Sequence, residues 1–204
     1  MTALELSRVS KSFGGRQVFK DISLSFSGGA LAVFGPNGSG KTTILRIIAG
    51  LCPPTSGSVS VLEGGKPVDG DRRRSIMGFV SPDISLYDEL TVIENLRFFA
   101  SVRGISAGCY ELYNAVEFFG LNSHSHLRFG ELSSGMKQRA KLASAVLHNP
   151  SILLLDEPYS NMDDSGLQIV QSLIEERRKN SIVVIAASAA SDVASADFTL
   201  RLGE

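Results

Sequence analysis

Cysteine is scarce in this chain: Cys52 and Cys109 stand alone, far apart and in no CxxC pair. They supply neither a disulfide framework nor a metal-ligand cluster, and reduced thiols of a cytosolic protein are the simplest account. Long apolar runs are missing too. None approaches the ~20 residues needed to cross a bilayer, so work at a membrane requires another subunit to provide the span. The opening MTALELSRVS has no basic segment followed by an apolar one, and no secretory leader is expected. Charge of either sign is not in excess. The net charge of −1 and a sequence pI near 6.3 give no general attraction to nucleic acid or anionic lipid, and no nucleic-acid partner is expected. The one basic cluster, Arg72-Arg73-Arg74, is flanked by Asp69 and Asp71 and reads as a solvated turn. No internal repeat or low-complexity segment is present.

At 204 residues and 43% hydrophobic, the chain can bury the core of one domain with an inserted lobe. Residues 4–34 look β-rich, from LELSRV through VFKDISLSF to ALAVF. A glycine-rich loop follows, and TTILRIIAGL has helical spacing that Pro53-Pro54 ends. GSVSVLEGG and MGFV read as short strands. From Leu90 the rhythm turns helical, with TVIENLRFFASVRG and YELYNAVEFFG stopped by Gly104 and Gly120. From Pro150 it turns back: SILLLDEP as strand, DSGLQIVQSLIEERRKN as amphipathic helix, SIVVIAA as strand. A β start, a helical insertion at about 90–135 and a parallel β/α finish make an α/β domain with a helical lobe.

The strongest local chemistry is GPNGSGKTT, Gly35 to Thr43. Gly35, Gly40, Lys41 and Thr42 satisfy G-x-x-x-x-G-K-[ST] between an apolar strand and a helix. Glycines let backbone N–H groups turn in around a phosphate, and the helix N-terminus adds positive potential. Lys41 offers a point charge to the phosphates and Thr42 a hydroxyl to Mg²⁺. In SILLLDEP the apolar run buries a strand and Asp156 emerges at its end, placed for the metal's water shell. Glu157 follows, where a carboxylate can polarise an attacking water as general base. A second anion-type turn, Ser-Ser-Gly, opens the helix of ELSSGMKQRAKLASAVL.

GPNGSGKTT, LSSGMKQR, ILLLDEP and SNMD, in this order and spacing, resemble the ATP-binding cassette (ABC) family of transporter ATPases. The likeness runs from Phe13 to about Ser188, and LSSGM stands where the family has LSGGQ. It implies a P-loop NTPase of cassette type: a central, mostly parallel sheet flanked by helices, an N-terminal antiparallel β subdomain and an inserted helical lobe. Residues 1–204 are then one ATP-binding domain, its lobe at about 85–140. The resemblance implies a nucleotide site of Phe13, Gly35, Pro36, Asn37, Gly38, Ser39, Gly40, Lys41, Thr42 and Thr43, with Thr42 and Asp156 on the metal. It implies ATP and Mg²⁺ as cofactors, and a head-to-tail homodimer in which Ser133, Ser134 and Gly135 reach the partner's γ-phosphate. It also implies an integral membrane transporter subunit, with the chain on the inner face of the cell membrane.

Several residues keep two readings. Phe13 stacks on adenine or is a core phenylalanine. Asp163 makes dimer contact or N-caps a helix, and both roles can hold together. Tyr87 and Leu90 belong to a docking surface or to the lobe core. His124, His126 and His148 read as surface or loop residues. Three departures stand out: Met136 replaces the signature Gln, Pro82 stands where the family has a metal-side glutamine, and Ser188 where it has a switch histidine. Ser81 or Asp83 takes over the metal contact. With Lys41, Thr42, Asp156 and Glu157 all in place, the expectation is a working but slow ATPase, since one lost preorganised donor costs about 10²–10³ in rate. The short Ser188 hydroxyl is expected to reach the γ-phosphate poorly or only through a water, so Ser188→Ala should change little and Ser188→His should raise turnover ~10-fold. The alternatives are an ATP-gated binding module with little hydrolysis and a soluble non-transport cassette protein. The short length, with nothing appended after the last strand, also resembles haem-exporter cassettes.

Overall fold

The computed structural model describes residues 2–105, 108–193 and 196–203. Its first strands, β1 (Thr2–Phe13) and β2 (Arg16–Phe26), form a hairpin whose turn, Gly14-Gly15, has both residues at positive φ. With β4 (Ser56–Glu63) and β5 (Lys66–Val68) they make an antiparallel sheet of order β2-β1-β4-β5. Leu4 and Leu6 alternate inward from β1 and are buried, while Glu5 between them pairs with Ser25 and Ser60.

The second sheet has order β6-β7-β8-β3-β9, and its neighbours are parallel: β6 (Met77–Val80), β7 (Ile152–Asp156), β8 (Ile182–Ala187), β3 (Gly29–Phe34) and β9 (Phe198–Arg201). Strands covered on both faces need no polar alternation. Ile152, Leu154, Ile182 and Val184 face a core shared with the antiparallel sheet and helix α1 (Lys41–Ile48). Leu153, Leu155, Val183 and Ile185 face the opposite core, shared with α3 (Val92–Val102), α4 (Cys109–Phe118), α5 (Ser134–Val146) and α6 (Asp164–Arg177). Each such side chain contributes about 1.5–3 kcal/mol by leaving water, so these strands anchor both halves of the chain.

The helical insertion is as the sequence indicates. Thr91 and Glu94 form a reciprocal capping box that starts α3. Fully buried Asn95 then ties down the preceding loop through Tyr87 N–H and the carbonyls of Tyr87, Leu90 and Thr91. Tyr87 itself is exposed, edge-on to Phe98 and stacked on Phe99, and Leu90 is half-buried, so Tyr87 is not lobe core.

Two expectations need correction. The strand ending at Ala187 is not the last, because the chain runs on into β9 beside β3. Residues 72–74 lie in a short helix, α2 (Gly70–Ser75), and Arg73 is not a solvated charge. Its guanidinium is half-buried and donates to the carbonyls of Ile47 and Ile48 at the C-terminus of α1. His148, read as a surface or loop residue, lies in the turn after α5. It is half-buried with Nε2 3.0 Å from Met77 O, and burial, with nearby Arg103 second, lowers its pKa to about 4. A neutral, packed imidazole is a structural residue. Of the described helices none is long and apolar enough to cross a membrane.

Candidate functional site

The register of the parallel sheet assembles the site. Phe34 lies level with Ala187, and Asp156 with Ala186, so the carboxyl ends of β3, β7 and β8 release their loops side by side. Val80 pairs with Leu155, which adds the end of β6 next to Asp156.

The loop from Gly35 to Gly40 joins β3 to α1. Gly40 is the N-cap of α1 at φ 98° with no side-chain cap, a conformation that favours glycine. A Cβ there would lie 2.5 Å from Val18 Cγ1 and 2.9 Å from Phe19 Cδ1. The loop borders a cavity of about 730 Å³ whose lining includes Phe13, Arg16, Lys41, Thr42, Glu157 and Gly203. Pro36, Asn37, Gly38, Ser39, Gly40 and Thr43 complete the sequence-derived set on the same cavity, while Gly35 sits behind it against Leu202 O and Ser39 Oγ. Phe13 is 54% exposed on the cavity wall, with Lys11 Nζ 4.6 Å from its ring centroid, and so is not a core phenylalanine. Arg16, Gln17, Val18 and Gly203 were not found by sequence reasoning. Only the hairpin pairing Phe13↔Arg16 hints at the first of them.

Lys41 folds back into its own loop. Nζ donates to Gly35 O at 2.9 Å, Pro36 O at 3.3 Å and Ser188 Oγ at 2.6 Å. Ser188 Oγ in turn lies 2.8 Å from Glu157 Oε1 and 3.0 Å from Asn37 Oδ1. Ser188 is therefore engaged on three sides within its own chain. Glu157 has φ 49°, left-handed for a non-glycine residue, and its N–H bonds Ala186 O at 2.8 Å. Such strain costs on the order of 1–3 kcal/mol and collects at functional positions.

Asp156 is 1% exposed. Desolvation raises its pKa, opposed by hydrogen bonds from the Thr42 and Ser81 hydroxyls. Its Oδ2 accepts from Ser81 Oγ at 3.3 Å, and its Oδ1 is buried with no hydrogen-bond partner. That lone carboxylate oxygen beside Thr42 fits a hard cation that keeps waters and phosphates as its other ligands. Among the described residues no cluster of three or more His, Cys, Asp or Glu could hold a metal alone. Of the two candidates to assist, Ser81 is buried next to Asp156, whereas exposed Asp83 pairs with Arg46. Pro82 lines a second cavity of about 320 Å³, shared with Ser134, Lys141 and Glu157.

The second phosphate-type turn lies elsewhere. Ser133 N-caps α5, accepting from Met136 N–H at 3.3 Å, and Ser134 is exposed. A Cβ on Gly135 would stand 2.8 Å from Asn161 O. None of the three lines the Lys41 cavity. Asp163 N-caps α6, its Oδ1 accepting from Gly166 N–H at 2.8 Å and Ser165 Oγ at 3.0 Å, with its pKa lowered chiefly by the Gly166 bond.

Residues 19–160 match the family described as ABC transporter. An ABC transporter ATP-binding protein of Bacillus subtilis, YxlF, is 37% identical over 184 residues, covering 89% of this chain and 61% of that protein. A Nod factor export ATP-binding protein I of Rhizobium leguminosarum is 36% identical over 171 residues, covering 82% and 55%. The chain thus spans only about three-fifths of the length of the first and less of the second. Among solved structures, an ABC transporter ATP-binding protein of Pyrococcus furiosus superposes with a TM-score of 0.84 at 27% identity, over 98% of this chain and 97% of that one.

Proposed function

The chain belongs to the ABC transporter family, and from that premise we propose that it is an ATP-binding and ATP-hydrolysing subunit that energises a transporter. It forms one ATP-binding domain over residues 1–204. The observation that carries this is the convergence of Lys41, Thr42 and Glu157 on one cavity at a helix N-terminus, with buried Asp156 next to Glu157 at the end of β7. In this reading the loop amides from Asn37 to Thr43 and Lys41 hold the phosphates, and Phe13 and Arg16 flank the nucleoside on the open side. Thr42 and Asp156 would hold Mg²⁺, which when bound neutralises charge on the phosphate oxygens. Glu157 accepts the proton of the attacking water.

Ser133, Ser134 and Gly135 serve a second copy. That none of them lines the Lys41 cavity of their own chain supports a head-to-tail pair in which each nucleotide lies between one copy's loop and the other's turn. A separate integral membrane subunit completes the transporter, and the chain works at the inner face of the membrane. Exposed Tyr87 and half-buried Leu90 lie on the surface offered to that subunit.

Lys41→Ala should abolish nucleotide binding and turnover, read by calorimetry and phosphate release. Glu157→Gln should retain ATP yet stop turnover, so that a dimer accumulates with ATP and Mg²⁺ in size-exclusion chromatography at high protein concentration. A monomeric, fully active Glu157→Gln chain would defeat the proposal. One second reading has support: Pro82 on the metal side and Ser188 in place of the switch residue favour slow hydrolysis or an ATP-gated module. Phosphate release by the unmodified chain separates the two.

A further inference from the structure

Lys41 has no donor to spare. An ammonium carries three N–H groups, and here they go to Gly35 O, Pro36 O and Ser188 Oγ. A phosphate reaches Lys41 only by displacing one of these acceptors. The two carbonyls belong to the phosphate loop itself. Ser188 does not: it follows β8, and it makes the shortest of the three contacts at 2.6 Å.

The serine hydroxyl has one proton. Because Oγ already accepts from Lys41, that proton is donated, and the Glu157 carboxylate at 2.8 Å is a stronger acceptor than the Asn37 amide oxygen at 3.0 Å. The result is a relay, Lys41 Nζ–H to Ser188 Oγ–H to Glu157 Oε1, with Nζ and Oε1 themselves 3.7 Å apart. Lys41 is 7% exposed, so water competes weakly for the lysine end.

We propose that Ser188 is a positioning residue with two consecutive roles. Its hydroxyl first latches the phosphate-binding lysine to the carboxylate, and incoming phosphate must break that bond. Once Lys41 has turned to the phosphate, the same hydroxyl remains on Glu157 and keeps the carboxylate oriented. The first role opposes nucleotide binding and the second assists turnover, so removing the hydroxyl moves the two in opposite senses. A substitution that merely disturbed the local structure would weaken both.

This rests on the ATPase reading above, and the experiment separates the two. Wild type, Ser188→Ala, Ser188→Thr and Lys41→Ala are titrated with ADP by calorimetry, and phosphate release is measured at saturating ATP. One charge-assisted hydrogen bond corresponds to roughly ten-fold in an equilibrium constant. Ser188→Ala is expected to bind ADP about three- to ten-fold tighter and to turn over about ten-fold more slowly. Ser188→Thr, which keeps a hydroxyl, restores both values toward wild type. Unchanged or weaker ADP binding by Ser188→Ala, or wild-type turnover, overturns the latch. If Lys41→Ala still loses ADP in that case, the nucleotide site stands without it. ADP binding unchanged in Lys41→Ala removes the nucleotide reading itself.

Discussion

Two short turns of glycine and serine open helices in this chain, and they are built in opposite ways. Before α1 the N-cap is Gly40 at φ 98°, with no side-chain bond, pressed under Val18 and Phe19 of the neighbouring sheet. Before α5 it is Ser133 at φ −62°, whose own hydroxyl takes the Met136 amide. A glycine cap leaves the first helical amides for a ligand, whereas a serine cap spends one of them on itself. The surroundings differ in the same direction. Lys41, Ser188 and Glu157 of the same chain hydrogen-bond to one another beside the first turn, while Ser133 and Ser134 do not line that cavity. One is a site within the molecule and the other a surface that needs something brought to it, which is the division the proposed sandwich requires.

The largest effect should come from Gly40→Ala. Its Cβ overlaps two core side chains at a φ that alanine resists, with a cost of order 1–3 kcal/mol and a Tm lower by several degrees. Nucleotide affinity of the single chain should fall at least ~100-fold, as one misplaced turn removes several loop amides together. Wild-type affinity in that variant would break the comparison at its stronger side.

Gly135→Ala should act differently. Its Cβ meets Asn161 O at 2.8 Å, so the turn and the loop ahead of Asp163 must shift together. ADP affinity of the monomer should stay within about two-fold, while turnover drops roughly 10- to 100-fold, the scale of a lost phosphate contact. In the Glu157→Gln background the ATP-dependent dimer should fail to accumulate. Parallel loss of monomer affinity would show that the two turns form one site after all.

The smallest effect sharpens the comparison at the cap itself. Ser133→Ala should cost about 1 kcal/mol and lower Tm by about 2–4 °C, without touching ADP affinity. Ser133→Asp keeps a capping oxygen and should restore Tm but not turnover. Recovery of both would mean that Ser133 serves the helix alone.

Much of this contrast was legible along the chain because it is local. A glycine-rich loop between an apolar strand and an amphipathic helix has few other uses, and ILLLD is too apolar to be anything but buried strand. The lobe helices were readable because three-to-four spacing persists over three turns of α3. Shorter elements gave no such signal. β5 has 3 residues, α2 has 6 and β9 has 4, and mostly exposed FTLR becomes a strand only because Leu31 to Phe34 lie beside it. Arg73 looked like one of three equivalent charges until the end of α1 arrived next to it.

Residue identity and spacing alone determined the phosphate loop, the acidic pair ending β7 and the second turn, since each depends on backbone freedom or apolar run length within about ten residues. Tertiary structure decided which of them meet. Strand register chose Ser81 over Asp83 as the neighbour of Asp156, because Val80 pairs with Leu155 and the next side chain turns inward. The same register brought Ser188 between Lys41 and Glu157, turning a serine that looked idle in sequence into the bridge between an ammonium and a carboxylate. Hydrogen bonds between residues more than thirty positions apart are set by how strands stack side by side, and no local pattern carries that information.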